Sequence, residues 1–457
     1  MLIEELSETQ SIILLVSRTY RDPIHKEINL NSENKVEKLL IDLIDCRELQ
    51  RLRWVRQLGT SWMTFHGAEA TRFPHSLGSM HVANMMFEKL NKDLEFDTDK
   101  YNHYRALVLT AALLHDIGHS PFSHSAEDIN EIKHEVWTQK LILSPETQIN
   151  KTLESYKPGF AKDVASILNK TYPIKFLSSI VNSQLDCDRF DYLLRDSFHT
   201  GTAYGNFDLS RVIASITVDI NNDCLVVAGE KGMLAVEDYL YARYSMYLQV
   251  YQHKKCLASD SHLLKLFQRV KMLIRSKRIA FLETALLKWI TNPETLTVTE
   301  FLNIDDTTVM HHIKHWSQEK DVILKDLAKR FLSRKLFKAE KIEKDNYKDG
   351  NKEEHLKELY LSKSSALKSL NLDPDYYLDI VTIASNPYNF YNPDTSNYQK
   401  AIFVKENNEL KEISTLSHIV KSLVQNDFEN SWMISIGDVI TNTNTEKKET
   451  QKELVSS

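Results

Sequence analysis

Residues 113–124 read LLHDIGHSPFSH, and in them His115, Asp116, His119 and His124 interrupt an apolar run punctuated by Gly118 and Pro121. Leu113 and Leu114 mark a helix entering a core, and the glycine and proline limit that helix soon afterwards. On a continuing helix His115 and His119 share a face, and a cation beside its end is within reach of both His115 and Asp116. One histidine in such a segment reads as a satisfied core residue. A cluster reads differently, because a buried carboxylate beside imidazoles is costly unless these groups pair, meet water or hold a metal.

Two other segments offer supporting ligands. TRFPHSLGSM (71–80) places His75 just after Pro74, a residue tolerated in a first helical turn, with Arg72 immediately upstream. SQLDCDRFDYLLRDSFHTG (183–201) sets Asp188, Tyr192 and Asp196 at i, i+4 and i+8, so two carboxylates and a phenol line one helical face, while Leu185, Leu193 and Leu194 turn to the core. Two imidazoles and two carboxylates form a mixed nitrogen and oxygen set. Such a set suits a divalent transition metal or a magnesium-like ion better than a thiolate-selecting one.

The rest of the chain supplies the frame. With 457 residues, 42% of them hydrophobic, it can bury a large core and is expected to hold two structural units. A net charge of -6 gives no electrostatic footprint for nucleic acid, which is not expected as the main partner. The four cysteines lie far apart with no CxxC pair, which argues against a zinc knuckle, a redox motif or a disulfide framework. MLIEELSETQ (1–10) is acidic where a signal peptide is basic, and no apolar run approaches the roughly 20 residues that span a bilayer. A cytoplasmic protein without membrane contact is the expectation.

Most of the sequence has a helical period, which predicts a mainly α fold with small β-hairpins and a smaller α+β C-terminal lobe. SITVDINNDCLVVAGE (215–230) reads as a hairpin about Asn221–Asp223, and AIFVKENNELKEIS (401–414) repeats the pattern. Residues 338–359 are densely charged and break at Asp349-Gly350, which predicts an exposed connection or solvated helices. The expected units are residues 1–275, a C-terminal lobe at 276–440, and a disordered tail at 441–457. No internal repeat is visible.

RFPHSLG (72–78), LLHDIGHSPFSH and LDCDRFDYLLRD (185–196), in that order, resemble the HD-domain phosphohydrolases, specifically the deoxynucleoside triphosphate (dNTP) triphosphohydrolases of the bacterial and vertebrate SAM-and-HD type. RDPIHKEINL (21–30), DCRELQRLRWVRQLGT (45–60) and MYLQVYQHKK (246–255) extend the likeness over most of residues 18–256. It implies an HD-domain helical fold and hydrolysis of dNTPs to deoxynucleoside and tripolyphosphate. One divalent metal per subunit is implied, whether Mn, Mg, Fe, Ni or Zn, on His75, His115, Asp116 and Asp188, with a further Mg able to accompany the nucleotide. His119, His124 and His134 fall where the family works on the triphosphate, and Glu127 where an acidic partner orients a catalytic histidine. In that scheme the metal polarises the α-phosphate and lowers the pKa of a bound water, while His124 handles the proton at the leaving group.

The resemblance also implies a nucleotide pocket. Gln57, Leu58 and Asp196 contact the sugar, and Tyr192 packs where a 2'-hydroxyl would sit. Arg72 and Arg189 flank metal ligands and can neutralise charge on phosphate oxygens. Within the aromatic helix VEDYLYARYSMYLQVYQHKK (236–255), Tyr251 is assigned to base stacking, His253 to substrate and Arg243 to phosphate, against the alternative that an aromatic stripe is simply core.

Departures and alternatives accompany these expectations. Relatives bind a regulatory guanine nucleotide with an Asn and a His where this chain has Arg21 and Glu27, whereas the base readers Asp45 and Arg53 are present and Lys254 can contact phosphate. The expected assembly is a homotetramer regulated by a nucleotide effector, with no sterile-α-motif domain ahead of the catalytic part. Asp45 and Arg53 could instead form a surface ion pair. Other HD phosphohydrolase chemistry, such as phosphodiester or monophosphate cleavage, and a non-catalytic dNTP-sensing or nucleic-acid-binding scaffold are the competing functions.

Overall fold

A computed structural model describes residues 17–343, 351–385, 388, 401–407, 409–425, 428–437 and 439. The architecture is mainly α, with small sheets of two to four strands. The tail at 441–457 and the Asp349-Gly350 break lie outside the described residues.

The chain begins with an antiparallel hairpin, β1 (Ser17–Asp22) and β2 (Lys26–Asn31), in register from Ser17↔Asn31 to Asp22↔Lys26. Helix α1 (Lys35–Ile44) follows, its first turn closed by Asn34, whose side chain accepts from the backbone N–H groups of Val36 and Glu37. The long α2 (Arg72–Leu94) packs against α3 (Thr98–Leu114). From Arg105 to Leu114 every residue of α3 is buried, which is why this segment lacks an amphipathic period: the helix is the spine of the core and has no wet face there.

Beyond Leu114 the structure departs from the sequence expectation. The helix stops with His115 as its C-cap, and residues 116–123 run through turns before α4 (His124–Asn130) and α5 (His134–Leu143). His115 and His119 therefore do not share a helical face. Gly118 allows the tight return, because a Cβ there would stand 2.2 Å from the His134 carbonyl oxygen and 2.3 Å from the Thr138 nitrogen.

Helix α6 (Cys187–Thr200) is capped by Asp186, which accepts from the Arg189 N–H, and stops at Gly201 in the left-handed region. The expected hairpin forms as β3 (Ile216–Asp219) and β4 (Cys224–Ala228). Helices α7 (Gly229–Met246) and α8 (Lys254–Arg275) are joined by a π-helical turn at Tyr247–Tyr251. After them come α9 (Thr284–Thr291) and α10 (Asp306–Trp316), then β5 (Lys338–Ile342) and β6 (Leu378–Ser385).

The second expected hairpin is present as β7 (Phe403–Glu406) and β8 (Glu409–Glu412), and β9 (Phe428–Ser435) pairs between β5 and β6. Parallel pairing of β4 with β7, Val227↔Val404, ties the C-terminal strands to the earlier hairpin. Buried apolar side chains form a large cluster running from Ile28 to Val439 and a small second one of Cys224, Val226, Ala401 and Phe403 between β4 and β7. Among the described residues no helix is long and apolar enough to cross a membrane, and all four cysteines are buried and free.

Candidate active site

Three helix ends carry the four expected metal ligands: the first turn of α2 holds His75, the exit of α3 holds His115 and Asp116, and the first turn of α6 holds Asp188; the ligand atoms of His75, His115 and Asp188 form one group, and Asp116 beside them groups with His119 and His134. His75 Nε2 lies 3.1 Å from Asp188 Oδ1 and 3.6 Å from Asp116 Oδ2. His115 Nε2 lies 3.3 Å from Asp116 Oδ1 and 3.5 Å from Asp188 Oδ1. Each imidazole is held from behind through Nδ1, His75 by Asp191 Oδ2 at 2.7 Å and His115 by the Ala112 carbonyl at 2.7 Å. These bonds fix the tautomer in which Nε2 carries the lone pair, and both Nε2 atoms are buried without a hydrogen-bond partner.

Electrostatics point the same way. Burial disfavours a charged His75, yet the carboxylates of Asp188, Asp191 and Asp116 override it and raise its pKa to about 10. Burial also opposes ionisation of Asp116 and Asp188, but Arg72, His115 and His119 hold the first, and His115 and His75 the second, below the usual carboxylate range. Buried lone pairs and carboxylates that draw positive charge toward one point fit a divalent cation, and the His/Asp cluster could hold a metal.

Beside the cluster lies a cavity of about 820 Å³. Its wall contains Gln57, Leu58, Arg72, His115, Asp116, His119, His124, His134, Asp188, Arg189, Tyr192, Asp196 and Tyr251, so most sequence-derived candidates meet in one space. His119 stacks on His134 with centroids 3.8 Å apart, and His124 stands nearly perpendicular to both. Glu127 Oε1 accepts from His134 Nδ1 at 2.7 Å, and Oε2 lies 3.4 Å from His124 Nδ1. Burial acts first to keep His119 neutral, and the charges of Arg72 and His134 add to it. His124 is the accessible member, its side chain 67% exposed.

Along α6, Tyr192 and Asp196 follow Asp188 on the same face, as the spacing requires. Tyr251 Oη donates to Asp196 Oδ2 at 2.9 Å, a contact set up by the π-helical turn that ends at Tyr251. Burial pushes the Asp196 carboxyl up to about 7. Its proton is therefore retained in the folded chain across a range where the unfolded chain has lost it, and the folded state is disfavoured progressively as pH rises from 3.8 toward 7. Asp196→Asn is expected to stabilise the fold by about 1 kcal/mol per pH unit between pH 5 and 7, with little effect at pH 4. Urea unfolding at pH 4, 5, 6 and 7 checks it; an equal effect at every pH contradicts the buried-carboxyl account.

The remaining candidates sit differently. Arg243 and His253 do not reach the cavity wall: Arg243 Nη1 donates to Gln184 Oε1 at 2.7 Å in the interior, and His253 caps α8 with its ring against Phe65. Arg72 and Arg189 do line the cavity, but each is already paired, with Asp116 and with Asp186. Asp45 and Arg53 are not paired with each other. Asp45 binds Arg18 on the hairpin at 2.8 Å, while Arg53 donates to Gln50 and covers the Phe73 ring. Arg21 pairs with Glu27 across the hairpin, and Lys254 opens α8 on the surface.

Sequence reasoning missed a buried network beneath the cluster. Asp191 receives His75, both Arg195 Nε and Nη2, and His25 Nε2 at 2.6 Å, and Arg195 Nη1 continues to Asp22 at 2.8 Å. Gly78 was its one sequence signal, because a Cβ there would stand 1.9 Å from Asp191 Oδ1 and 2.4 Å from Arg195 Nη2.

This geometry defines an HD-domain site. The HD domain family pattern matches residues 72–168. The chain is 37% identical over 408 residues to the uncharacterized protein YwfO of Bacillus subtilis, covering 89% of each chain. It is 31% identical over 271 residues to human deoxynucleoside triphosphate triphosphohydrolase SAMHD1, a match spanning 52% of this chain and 42% of the human protein. Among solved structures, a phosphohydrolase from Bacteroides thetaiotaomicron aligns over 92% of this chain and 99% of its own, with a TM-score of 0.74 and 29% identity. The chain belongs to the HD-domain phosphohydrolases.

Proposed function

We propose that this protein hydrolyses dNTPs to deoxynucleoside and tripolyphosphate. The observation that carries the reading is the order along α6: Asp188 in the cluster, then Tyr192 one turn on, then Asp196 held by Tyr251, all on one cavity wall. Four residues of helix rise about 6 Å, which separates a phosphate held at Asp188 from a sugar beside Tyr192 and Asp196. The likeness to SAMHD1, named for dNTP triphosphohydrolysis, supports the assignment.

His75, His115, Asp116 and Asp188 would hold the metal, which supplies Lewis-acid polarisation of the α-phosphate when bound. The chain's own groups do the rest. Glu127 orients His134 and His124, and the accessible His124 delivers a proton to the departing oxygen. Tyr192 fills the space below the sugar, and Gln57, Leu58 and Asp196 bind it. Residues 1–275 carry this chemistry and 276–440 form a supporting lobe. A nucleotide effector read by Asp45 and Arg53 at a homotetramer interface completes the proposal; its binding requires Asp45 to leave Arg18.

Incubation of the purified protein with each dNTP and manganese or magnesium tests the reading. Tripolyphosphate and deoxynucleoside are expected. Orthophosphate would indicate a different HD phosphohydrolase reaction, and binding without product a sensing role. Tyr192→Ala is expected to raise GTP turnover relative to dGTP by about 10-fold or more, since opening space for one hydroxyl removes a steric rejection. Equal hydrolysis of GTP and dGTP by the unaltered protein would overturn the steric argument.

A further inference from the structure

The catalytic turn between His119 and His124 has a strained backbone. Phe122 and Ser123 both have positive φ, 57° and 53°, and Ser123 combines it with ψ of -128°. Neither is glycine, so this conformation persists only if its surroundings impose it.

Part of what imposes it is local to the site, where Ser123 Oγ accepts from Arg72 Nε at 2.7 Å and donates to the Arg56 carbonyl at 2.6 Å, and part comes from residues 289–306, outside the segment that resembles the catalytic family. Asp306, in the first turn of α10, accepts from the Phe122 N–H through Oδ1 at 2.8 Å and from the Arg56 N–H through Oδ2 at 3.1 Å. Arg51 donates to the His119 carbonyl at 2.8 Å and to the Ile304 carbonyl at 3.1 Å, spanning the turn and the lobe. Trp289 Nε1 donates to Ser120 Oγ at 3.3 Å. Arg51, Asp306, Trp289 and Ser120 are all buried, so these bonds are made away from water and do not exchange freely with it.

We infer that Asp306, with Arg51 and Trp289, is a positioning device for the catalytic histidines, through which the C-terminal lobe holds the strained turn that sets His119 and His124 at the cavity. Asp306 touches no ligand of the metal cluster and does not line the cavity; it acts through the backbone of residues 119–123. Its two oxygens accept from two separate strands of chain, Arg56 and Phe122, which fixes the loop ahead of Gln57 and Leu58 against the loop ahead of His124. Asn at this position keeps one acceptor and places an amide donor against the other N–H. A displacement of about 1 Å at a reacting group costs on the order of 100-fold in rate.

The inference rests on the hydrolase reading, and the test separates the two. Asp306→Asn and Trp289→Phe are compared with Asp305→Ala, which removes the cap of the same helix without touching the turn. Measured for each are metal content, kcat and KM with dNTPs and with a nitrophenyl phosphodiester, and amide exchange of residues 119–124. The result expected is a 10- to 100-fold lower kcat in Asp306→Asn, a smaller loss in Trp289→Phe, unchanged KM and metal content, and faster exchange confined to the turn. Asp305→Ala is expected to lose thermal stability while keeping kcat. Exchange at the unaltered rate in Asp306→Asn would overturn the clamp whatever the substrate, and faster exchange with unchanged kcat would overturn its catalytic consequence. Failure of the unaltered protein to cleave any dNTP, with the diester still cleaved, sinks the dNTP reading alone and leaves kcat on the diester to decide the clamp.

Discussion

Asp188→Ala is expected to leave the purified protein with less than about a tenth of its metal and to lower kcat by at least about 1,000-fold. The carboxylate is the group that stands near both imidazoles, 3.1 Å from His75 Nε2 and 3.5 Å from His115 Nε2. Removing it takes away one of four ligands and half the negative charge that the cluster presents. His75 and His115 keep their bonds to Asp191 and Ala112, so their rings stay oriented while the cation they face is no longer neutralised. Asp188→Asn separates charge from shape, retaining an oxygen of similar position with no charge, and is expected to fall between the two in metal content. Elemental analysis checks the result directly, and full occupancy in Asp188→Ala would overturn the ligand assignment.

The proximity of these four residues was legible in the sequence because their residue types have no comfortable bland reading together. His115-Asp116 sits at the end of an apolar run and His75 follows Pro74 at a helix start, so their places could be argued from local chemistry, while Asp188 was placed on a helical face by its spacing to Tyr192 and Asp196. The mainly α fold and the two later hairpins were legible from periodicity and turn residues, whereas the β1–β2 hairpin was not among the expectations. Asp191 and Arg195 were not. Spaced i, i+4 on a helix, an Asp and an Arg read as an exposed ion pair, and burial of both beneath His75 depends on α2 and the β1–β2 hairpin packing over them. Asp306 was hidden likewise, as one acid in the first turn of a surface-like helix. Arg243 sits away from its expected neighbours: the π-helical turn interrupts the i, i+4 stripe, Tyr247 and Tyr251 line the cavity, and Arg243 lies in the interior against Gln184.

The buried network makes Asp191→Ala the second large effect, and a different one from loss of a ligand. Asp191 has no access to solvent and, among the described residues, is the only carboxylate in contact with His75 Nδ1, while Arg195 shares its charge between Asp191 and Asp22. Burial alone would favour a neutral Asp191, but Arg195, His25 and His75 hold it well below the usual carboxylate range, so it is charged in the fold at neutral pH. Its removal strands the Arg195 guanidinium with one partner in a dry interior, and is expected to cost about 3–5 kcal/mol of stability. It also frees the His75 ring to rotate or change tautomer, which is expected to weaken metal binding about 10- to 100-fold. The two consequences separate in Asp191→Asn, which keeps an acceptor and the ring orientation. Metal affinity should recover in large part there while stability stays low, because the charge opposite Arg195 is still missing. Equilibrium unfolding and metal titration of both variants check this; unchanged metal affinity in Asp191→Ala would show that His75 is oriented by the helix backbone and by Ser79, whose Oγ lies 3.3 Å from His75 Nδ1, rather than by the carboxylate behind it.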